Sequence, residues 1–206
     1  MGLFPLFLKL EARRCIVVGA GNIAESKIRS LLDSNADVHV VAPHASEAIQ
    51  ALVRTGSVEW HQHEFLPADL DGAFLVIAAT SSSEVNGAVF QEAQRRGVLC
   101  NAVDDPEHCD FYYGAVVRRG DLQIAISTAG HSPALAQRLR VQLEAQFEPE
   151  YATWLEQLGN TRARLFESNV DPEERKALLH QLASGHAFEA AQLASVNLVA
   201  KEQGGL

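Results

Sequence analysis

The 206-residue chain carries 17 basic against 26 acidic residues, a formal net charge of −9, and it is 47% hydrophobic and 21% charged. That balance describes an ordinary soluble globular protein and argues against a general nucleic-acid or anionic-membrane binder. No apolar run approaches the roughly 20 residues of a membrane span.

The length implies one main core with an appendage. The cysteines, Cys15, Cys100 and Cys109, form no C-x-x-C pair, and their odd number suits a reducing compartment. With no basic region ahead of the short apolar patch from Leu3 to Leu8, no signal peptide is read and the expected location is the cytoplasm. The segment Leu3 to Leu10 either covers apolar surface or starts a minor strand.

A strand over Cys15–Val18 then runs into Gly19-Ala-Gly21, and apolar Ile23, Ile28, Leu31 and Leu32 predict a helix over 23–33. A buried strand turning sharply into a helix gathers free backbone N–H groups at the positive end of the helix dipole, a pyrophosphate site. Ala24 takes the third small-residue position of the G-x-G-x-x-G/A dinucleotide fingerprint. The second strand, Asp37–Ala42, completes a βαβ unit but departs from that fingerprint. An acidic residue for the adenosine ribose is expected roughly 20 residues after the glycines, and the strand instead ends in Val41-Ala42-Pro43-His44. Either backbone groups around Pro43 and His44 hold the ribose, or the cofactor reading fails. The lack of Arg or Lys between Pro43 and Leu52 disfavours NADP.

A helix over 46–55 and a strand over 58–61 follow. The unbroken apolar run Ala73–Ala79 reads as a central strand buried on both faces. It ends in Thr80-Ser-Ser-Ser, which belongs beside the glycine loop because ligands bind beyond the carboxyl ends of such strands. At least one of these serines serves as the N-cap of a helix over 84–96. The next strand, Val98–Val103, ends in Asp104-Asp105-Pro106, either an acid/base pair at the same sheet edge or a turn. Glu107-His108-Cys109-Asp110 lacks metal-site spacing and reads as loop.

Beyond it, Phe111–Ser127 reads as an antiparallel hairpin around Arg119-Gly-Asp121. Ser132 and Pro133 open a helix that runs to Phe147. The remainder is helical, with breaks at Gly159, Asp171-Pro172 and Gly185-His186 and a fraying end over 201–206.

Several separated stretches together resemble the bifunctional precorrin-2 dehydrogenase/sirohydrochlorin ferrochelatase family, which also forms the N-terminal module of siroheme synthase. They are Leu3-Phe-Pro-Leu-Phe-Leu, Val17-Val-Gly-Ala-Gly-Asn-Ile-Ala-Glu-Ser-Lys27, Asp71 to Thr80, Asn101 to Pro106 and Leu122 to Pro133. The resemblance implies an α/β fold: a Rossmann-type parallel-sheet domain over 1–112, a small α+β dimerisation domain over 113–147, and a helical domain over 148–206, in a homodimer. It implies NAD-dependent oxidation of precorrin-2 to sirohydrochlorin and insertion of Fe²⁺ as the chelatase substrate. Nucleic acid and membrane are not expected partners.

Carried onto this chain, cofactor contacts fall on Gly19, Gly21, Asn22, Ile23, Pro43, His44 and Thr80, which accounts for the missing carboxylate. The family's aspartate falls on Asp104, as the proton acceptor for both steps, with Asp105 structural. The substrate is a polycarboxylate, so Arg118, Arg119, Arg138, Thr128, His131 and the Ser132 N–H are its candidate contacts. Iron is held by the tetrapyrrole nitrogens, so no protein metal ligands are assigned. Ala20, Ser26 and His131 depart from the common family residues, Ala20 by setting a methyl group close to the cofactor's path. Two alternatives are a non-catalytic dinucleotide-sensing Rossmann domain and a chelatase without dehydrogenase activity.

Overall fold

The computed structural model describes residues 2–191. Backbone contacts divide the chain into two compact units, one through Tyr113 and one from Gly114 onward.

In the first unit five strands form one parallel sheet: β1 (Arg14–Val18), β2 (Asp37–Val41), β3 (Glu59–His61), β4 (Leu75–Ala78) and β5 (Leu99–Ala102). Their spatial order is β3-β2-β1-β4-β5, the doubly wound arrangement in which the chain reverses direction beside β1. Side chains alternate across β1, so Cys15 and Val17 enter one core layer while Ile16 and Val18 enter the other. Helices α1 (Asn22–Leu32) and α2 (Glu47–Arg54) cover the first layer through Ala24, Ile28, Leu31 and Ile49. Helix α3 (Ser83–Arg96) covers the second through Val89 and Ala93. Ile16 and Ile77 are wholly buried, and each stabilises the sheet by about 1.5–3 kcal/mol of apolar transfer.

Local signals act where the residue types require. Ser46 and Ser82 cap α2 and α3 by accepting from the N–H groups of Ile49 and Val85. Gly97 ends α3 in the left-handed conformation at φ 69°. The N-terminal segment makes no strand: residues 2–10 are irregular, Phe4 is 83% exposed, and only Leu10 enters the core. No partner strand offers its edge there, so the apolar run does not by itself create one.

The second unit opens with the antiparallel hairpin β6 (Ala115–Arg119) and β7 (Leu122–Ile126). Helix α4 (Pro133–Gln146) follows, capped by Ser132. Helix α5 (Tyr151–Glu167) passes through Gly159 without a break. Glycine in a helix interior costs about 1 kcal/mol, which the surrounding helix of 17 residues tolerates. Helix α6 (Pro172–Leu182) starts where Asp171 accepts from the N–H groups of Glu173 and Glu174. A further helical turn over 185–191 begins at Gly185 and does not break there. It brings Phe188 to 4.2 Å from Tyr151 and 4.9 Å from Trp154 between ring centres. The fraying expected over 201–206 lies outside the described residues. Among the described residues no helix is long and apolar enough to cross a membrane.

Candidate functional site: a dinucleotide cleft at the carboxyl edge of the sheet

The turn after β1 is built by contacts that only a glycine permits. Gly19 has φ +107°, and a Cβ placed there would stand 2.5 Å from the Ala79 carbonyl oxygen and 3.0 Å from the Thr80 nitrogen. Its backbone therefore packs directly on the end of β4. Its N–H donates to Val41 O at 2.9 Å, and Ala79 N–H donates to Val18 O at 2.8 Å. Gly21 differs: a Cβ there would meet nothing within 4 Å. It is the N-cap of α1 and offers no side chain to the first-turn N–H groups. Open space before an uncapped helix N-terminus is the cradle a pyrophosphate needs. Ala24 is fully buried, which allows α1 to lie close on the sheet. Asn22 is exposed and Ile23 leaves 54% of its surface open at the first turn of α1. Ala20, expected to set its methyl group beside the cofactor's path, instead joins the first core layer.

Pro43 and His44 are both exposed beyond the end of β2. Two backbone bonds bracket them against the glycine loop, Gly19 N–H to Val41 O and Ser46 N–H to Ala20 O at 3.1 Å. The Trp60 indole N–H donates to Ala42 O at 2.9 Å from the other side. No carboxylate occurs in this stretch, so a ribose here meets backbone and the two exposed residues.

Thr80 adjoins the loop, but its polar atoms are engaged by Asn86, which is only 6% exposed. Thr80 N–H and hydroxyl lie 3.2 and 2.7 Å from Asn86 Oδ1, and Asn86 Nδ2–H donates to Thr80 O at 3.1 Å. Thr80 thus fixes the loop after β4. Asn86 went unnoticed in the sequence; the spacing Thr-x5-Asn across a helix start is its only trace.

The backbone continues this edge to Asp104. Val103 N–H donates to Ala78 O at 2.9 Å, and Asp104 follows, exposed, with φ +61°. Such a conformation is strained for a residue with a Cβ. Asp105 pairs with His108 at 2.6 Å, and Cys109 Sγ lies 3.1 Å from Ala102 O, so the rest of the loop holds itself in place. Asp110 accepts from Cys100 N–H and from Gln94. These contacts engage His108 Nδ1, the Cys109 thiol and both oxygens of the Asp110 carboxylate.

Lys27, from the second turn of α1, is a cation within electrostatic reach of this aspartate. Its ammonium sits 3.8 Å from the centre of the Tyr113 ring. Burial lowers its pKa, and the negative charge of Asp104 acts against that shift. Burial also pushes the Tyr113 phenol up. Lys27 was part of the motif but carried no assigned role, because only the fold brings it to the end of β5.

In the second unit, Arg118, His131 and Arg138 are exposed. Arg119 is committed: it donates to Phe147 O at 2.6 Å, Glu144 O at 2.9 Å and Arg118 O at 2.8 Å, capping the carboxyl end of α4. Thr128 Oγ1 accepts from Ser132 N–H at 3.2 Å, and Ser132 Oγ accepts from Leu135 N–H at 3.2 Å. The Ser132 N–H expected to meet a substrate carboxylate is therefore already paired within the turn.

A family model described as "Putative NAD(P)-binding" matches residues 6–115, and one described as "Sirohaem biosynthesis protein central" matches residues 119–146. The chain belongs to this NAD(P)-binding family of siroheme-biosynthesis proteins. The siroheme synthase of Photorhabdus laumondii is 37% identical over 185 residues, covering 90% of this chain and 39% of that protein. Siroheme synthase 1 of Aeromonas salmonicida is 36% identical over 204 residues, covering 97% and 44%. The chain thus spans about two-fifths of the length of these relatives. The solved structure of SirC, a precorrin-2 dehydrogenase, superposes with a TM-score of 0.80 at 25% identity, covering 97% of this chain and all of that one. The Rossmann-type sheet expected from the sequence is thus the fold, and the family resemblance holds.

Proposed function

We propose that the chain oxidises precorrin-2 to sirohydrochlorin with NAD⁺, and that Fe²⁺ is then taken up as a second substrate to give siroheme. The observation that carries this reading is Asp104, an exposed carboxylate held in strained backbone at the same sheet edge as the glycine cradle. SirC, similar over its whole length, is a precorrin-2 dehydrogenase.

Gly19 and Gly21 leave room for the dinucleotide's phosphates, the first-turn N–H groups of Asn22 and Ile23 face them, and Pro43 with His44 bounds the adenosine end. Bound NAD⁺ supplies the hydride acceptor. The oxidation removes one hydride and one proton from the macrocycle, so the protein must provide a base, and the Asp104 carboxylate takes that proton. In chelation two pyrrole N–H protons leave as Fe²⁺ enters, and the same carboxylate receives them in turn. Lys27 holds positive charge beside Asp104, where it can contact one of the substrate's carboxylates. Thr80 shapes the loop, while Arg118, Arg138, His131 and the Thr128–Ser132 turn remain the proposed substrate contacts of the second unit. The working form is a cytoplasmic homodimer. A non-catalytic sensing domain would gain nothing from a strained, exposed aspartate, and the burial of the Ala20 methyl group removes one ground for a chelatase that has lost NAD.

The test mixes purified protein with precorrin-2 and NAD⁺ without metal and follows the sirohydrochlorin absorption spectrum. The parent forms sirohydrochlorin, and Asp104→Ala abolishes its formation while binding NAD⁺ near normally. A variant that oxidises precorrin-2 at the parent rate overturns the assignment of Asp104. A parent that inserts Fe²⁺ into supplied sirohydrochlorin but does not oxidise precorrin-2 overturns the dehydrogenase.

A further inference from the structure

On the outer edge of the parallel sheet, β2 and β3 place His39, Glu59 and His61 side by side. The register pairs His39 with Glu59 and Val41 with His61, so alternation along the strands puts all three side chains on one face. His39 is 4% exposed, an unusual environment for an imidazole without a specific partner. Its Nδ1 lies 3.2 Å from His61 Nε2. The Glu59 carboxylate straddles the pair, with Oε2 3.5 Å from His39 Nδ1 and Oε1 3.3 Å from His61 Nε2. One ligand atom from each residue falls within 4.8 Å of the others.

We propose that His39, Glu59 and His61 form a binding site for one divalent transition-metal ion of the zinc type, which clamps the edge strand β3 to β2. Zinc bonds to nitrogen and oxygen of about 2.0–2.1 Å in tetrahedral geometry put neighbouring ligand atoms about 3.3 Å apart. The two imidazole nitrogens stand 3.2 Å apart, and each has a different Glu59 oxygen at 3.3 or 3.5 Å, so a small rotation of the carboxylate brings one oxygen to both. Two imidazoles and one carboxylate are the donor set that borderline ions prefer over Mg²⁺ or Ca²⁺.

The surroundings supply what a first ligand shell needs behind it. Asp37 Oδ2 stands 3.1 Å from His39 Nε2, the carboxylate–histidine arrangement that leaves the opposite ring nitrogen free to bind metal. Arg14 Nη1 also approaches Nε2, at 3.2 Å, on the side of the ring away from His61 and Glu59. One guanidinium against two carboxylates leaves net negative charge to receive the cation. The fourth position is open to water, because Glu59 is exposed and His61 half-buried. The site uses none of the residues assigned to dinucleotide or tetrapyrrole. A metal there acts on structure: β3 is only three residues long, and the ion adds to the side-chain links it already has in the His39–His61 contact and the Trp60 bond to Ala42.

The test uses the full chain, treated with chelator, free of any histidine tag, and without dinucleotide or tetrapyrrole. Its outcome is therefore independent of the proposed activity. Titration with Co²⁺ is expected to give the visible absorption of a four-coordinate ion, saturating at one equivalent, and Zn²⁺ is expected to displace it and raise the unfolding temperature. Glu59→Gln and His61→Gln, both at accessible positions, should fold normally, weaken binding by at least tenfold and remove the Zn²⁺-dependent rise. Asp37→Asn should weaken binding by about 10–100-fold through His39. Absence of Co²⁺ binding in the parent, or an unchanged Co²⁺ spectrum and stoichiometry in both ligand variants, overturns the site.

Discussion

Adding one methyl group at each of the two loop glycines should separate folding from binding. At Gly19 the new Cβ would lie 2.5 Å from Ala79 O and 2.7 Å from its carbonyl carbon, both backbone atoms just past the end of β4, at φ +107°. Holding a side chain at such a φ costs about 1–3 kcal/mol. Forcing backbone apart in a packed core costs about 1–3 kcal/mol more. The sum, about 2–6 kcal/mol, is a large fraction of an ordinary domain's stability, and it corresponds to a fall in melting temperature of roughly 4–24 °C for a chain of this size. At Gly21, with φ −90° and nothing within 4 Å of the added Cβ, the fold loses no more than the roughly 1 kcal/mol by which Ala is the poorer N-cap. The methyl group instead occupies the space assigned to pyrophosphate. Thermal unfolding and titration with NAD⁺ are measured on both variants. Gly19→Ala should melt early, whereas Gly21→Ala should melt near the parent and bind NAD⁺ at least tenfold more weakly. A Gly21→Ala protein that binds NAD⁺ like the parent would refute the cradle. A Gly19→Ala protein with parental stability would refute the close approach of β1 to β4.

Three further outcomes are expected. Lys27→Met, which keeps the aliphatic stem beside Tyr113 and removes the charge near Asp104, should raise the KM for precorrin-2 about tenfold, equivalent to about 1.4 kcal/mol, without changing NAD⁺ affinity; steady-state kinetics at saturating NAD⁺ reads both. The Cys15 and Cys100 thiols are pushed by burial from an ordinary 9.0 up to about 11 and about 12. Their stabilising contribution is complete below pH 9 and is lost as pH rises through those values, about 3 kcal/mol for Cys15, so urea unfolding should show stability falling above pH 9, with a shallower fall in Cys15→Ala. Asp104→Gly, which relieves a left-handed backbone at φ +61°, should leave the unfolding temperature equal or higher while abolishing oxidation of precorrin-2.

Elements whose signals are short in sequence could be read directly from it. The strand–glycine–helix unit at Cys15–Leu32, the hairpin about Gly120 and the Ser132-Pro133 helix start each depend on a few adjacent residues, and each formed as its residues dictate. Most strand and helix ends moved by one or two residues, as fraying ends do, while the hairpin read from Phe111 begins its first strand only at Ala115. Gly159 misled because the cost of one glycine is small against a helix that packs through other positions. Of the two readings of the N-terminal apolar run, the minor strand did not form, because a strand needs a partner edge as well as composition.

What could not be read were contacts set by strand register and by backbone sign. His39 and His61 lie far apart in sequence, and they meet only because β2 and β3 pair in one register; a slip of one residue would have sent them to opposite faces. Thr80 looked like a ligand contact until Asn86 occupied its hydroxyl, and Arg119 looked like a free cation until three carbonyls claimed it.

Backbone conformation also bears on the choice between catalysis and turn-making at Asp104-Asp105, which residue types alone leave open. Left-handed positions such as φ +61° are filled most cheaply by glycine, and the chain uses glycine at φ +57° to +81° in Gly56, Gly72, Gly97, Gly120 and Gly130, with Ala12, Asn35 and Ala129 as the other non-glycine cases among the described residues. At the end of β5 it keeps an aspartate in the same conformation and leaves the carboxylate exposed. Asp105, beside it, spends its own carboxylate on His108. The turn therefore has its structural acid in Asp105, and the carboxylate of Asp104, left exposed at a left-handed position, is free for the proton-accepting role proposed for it.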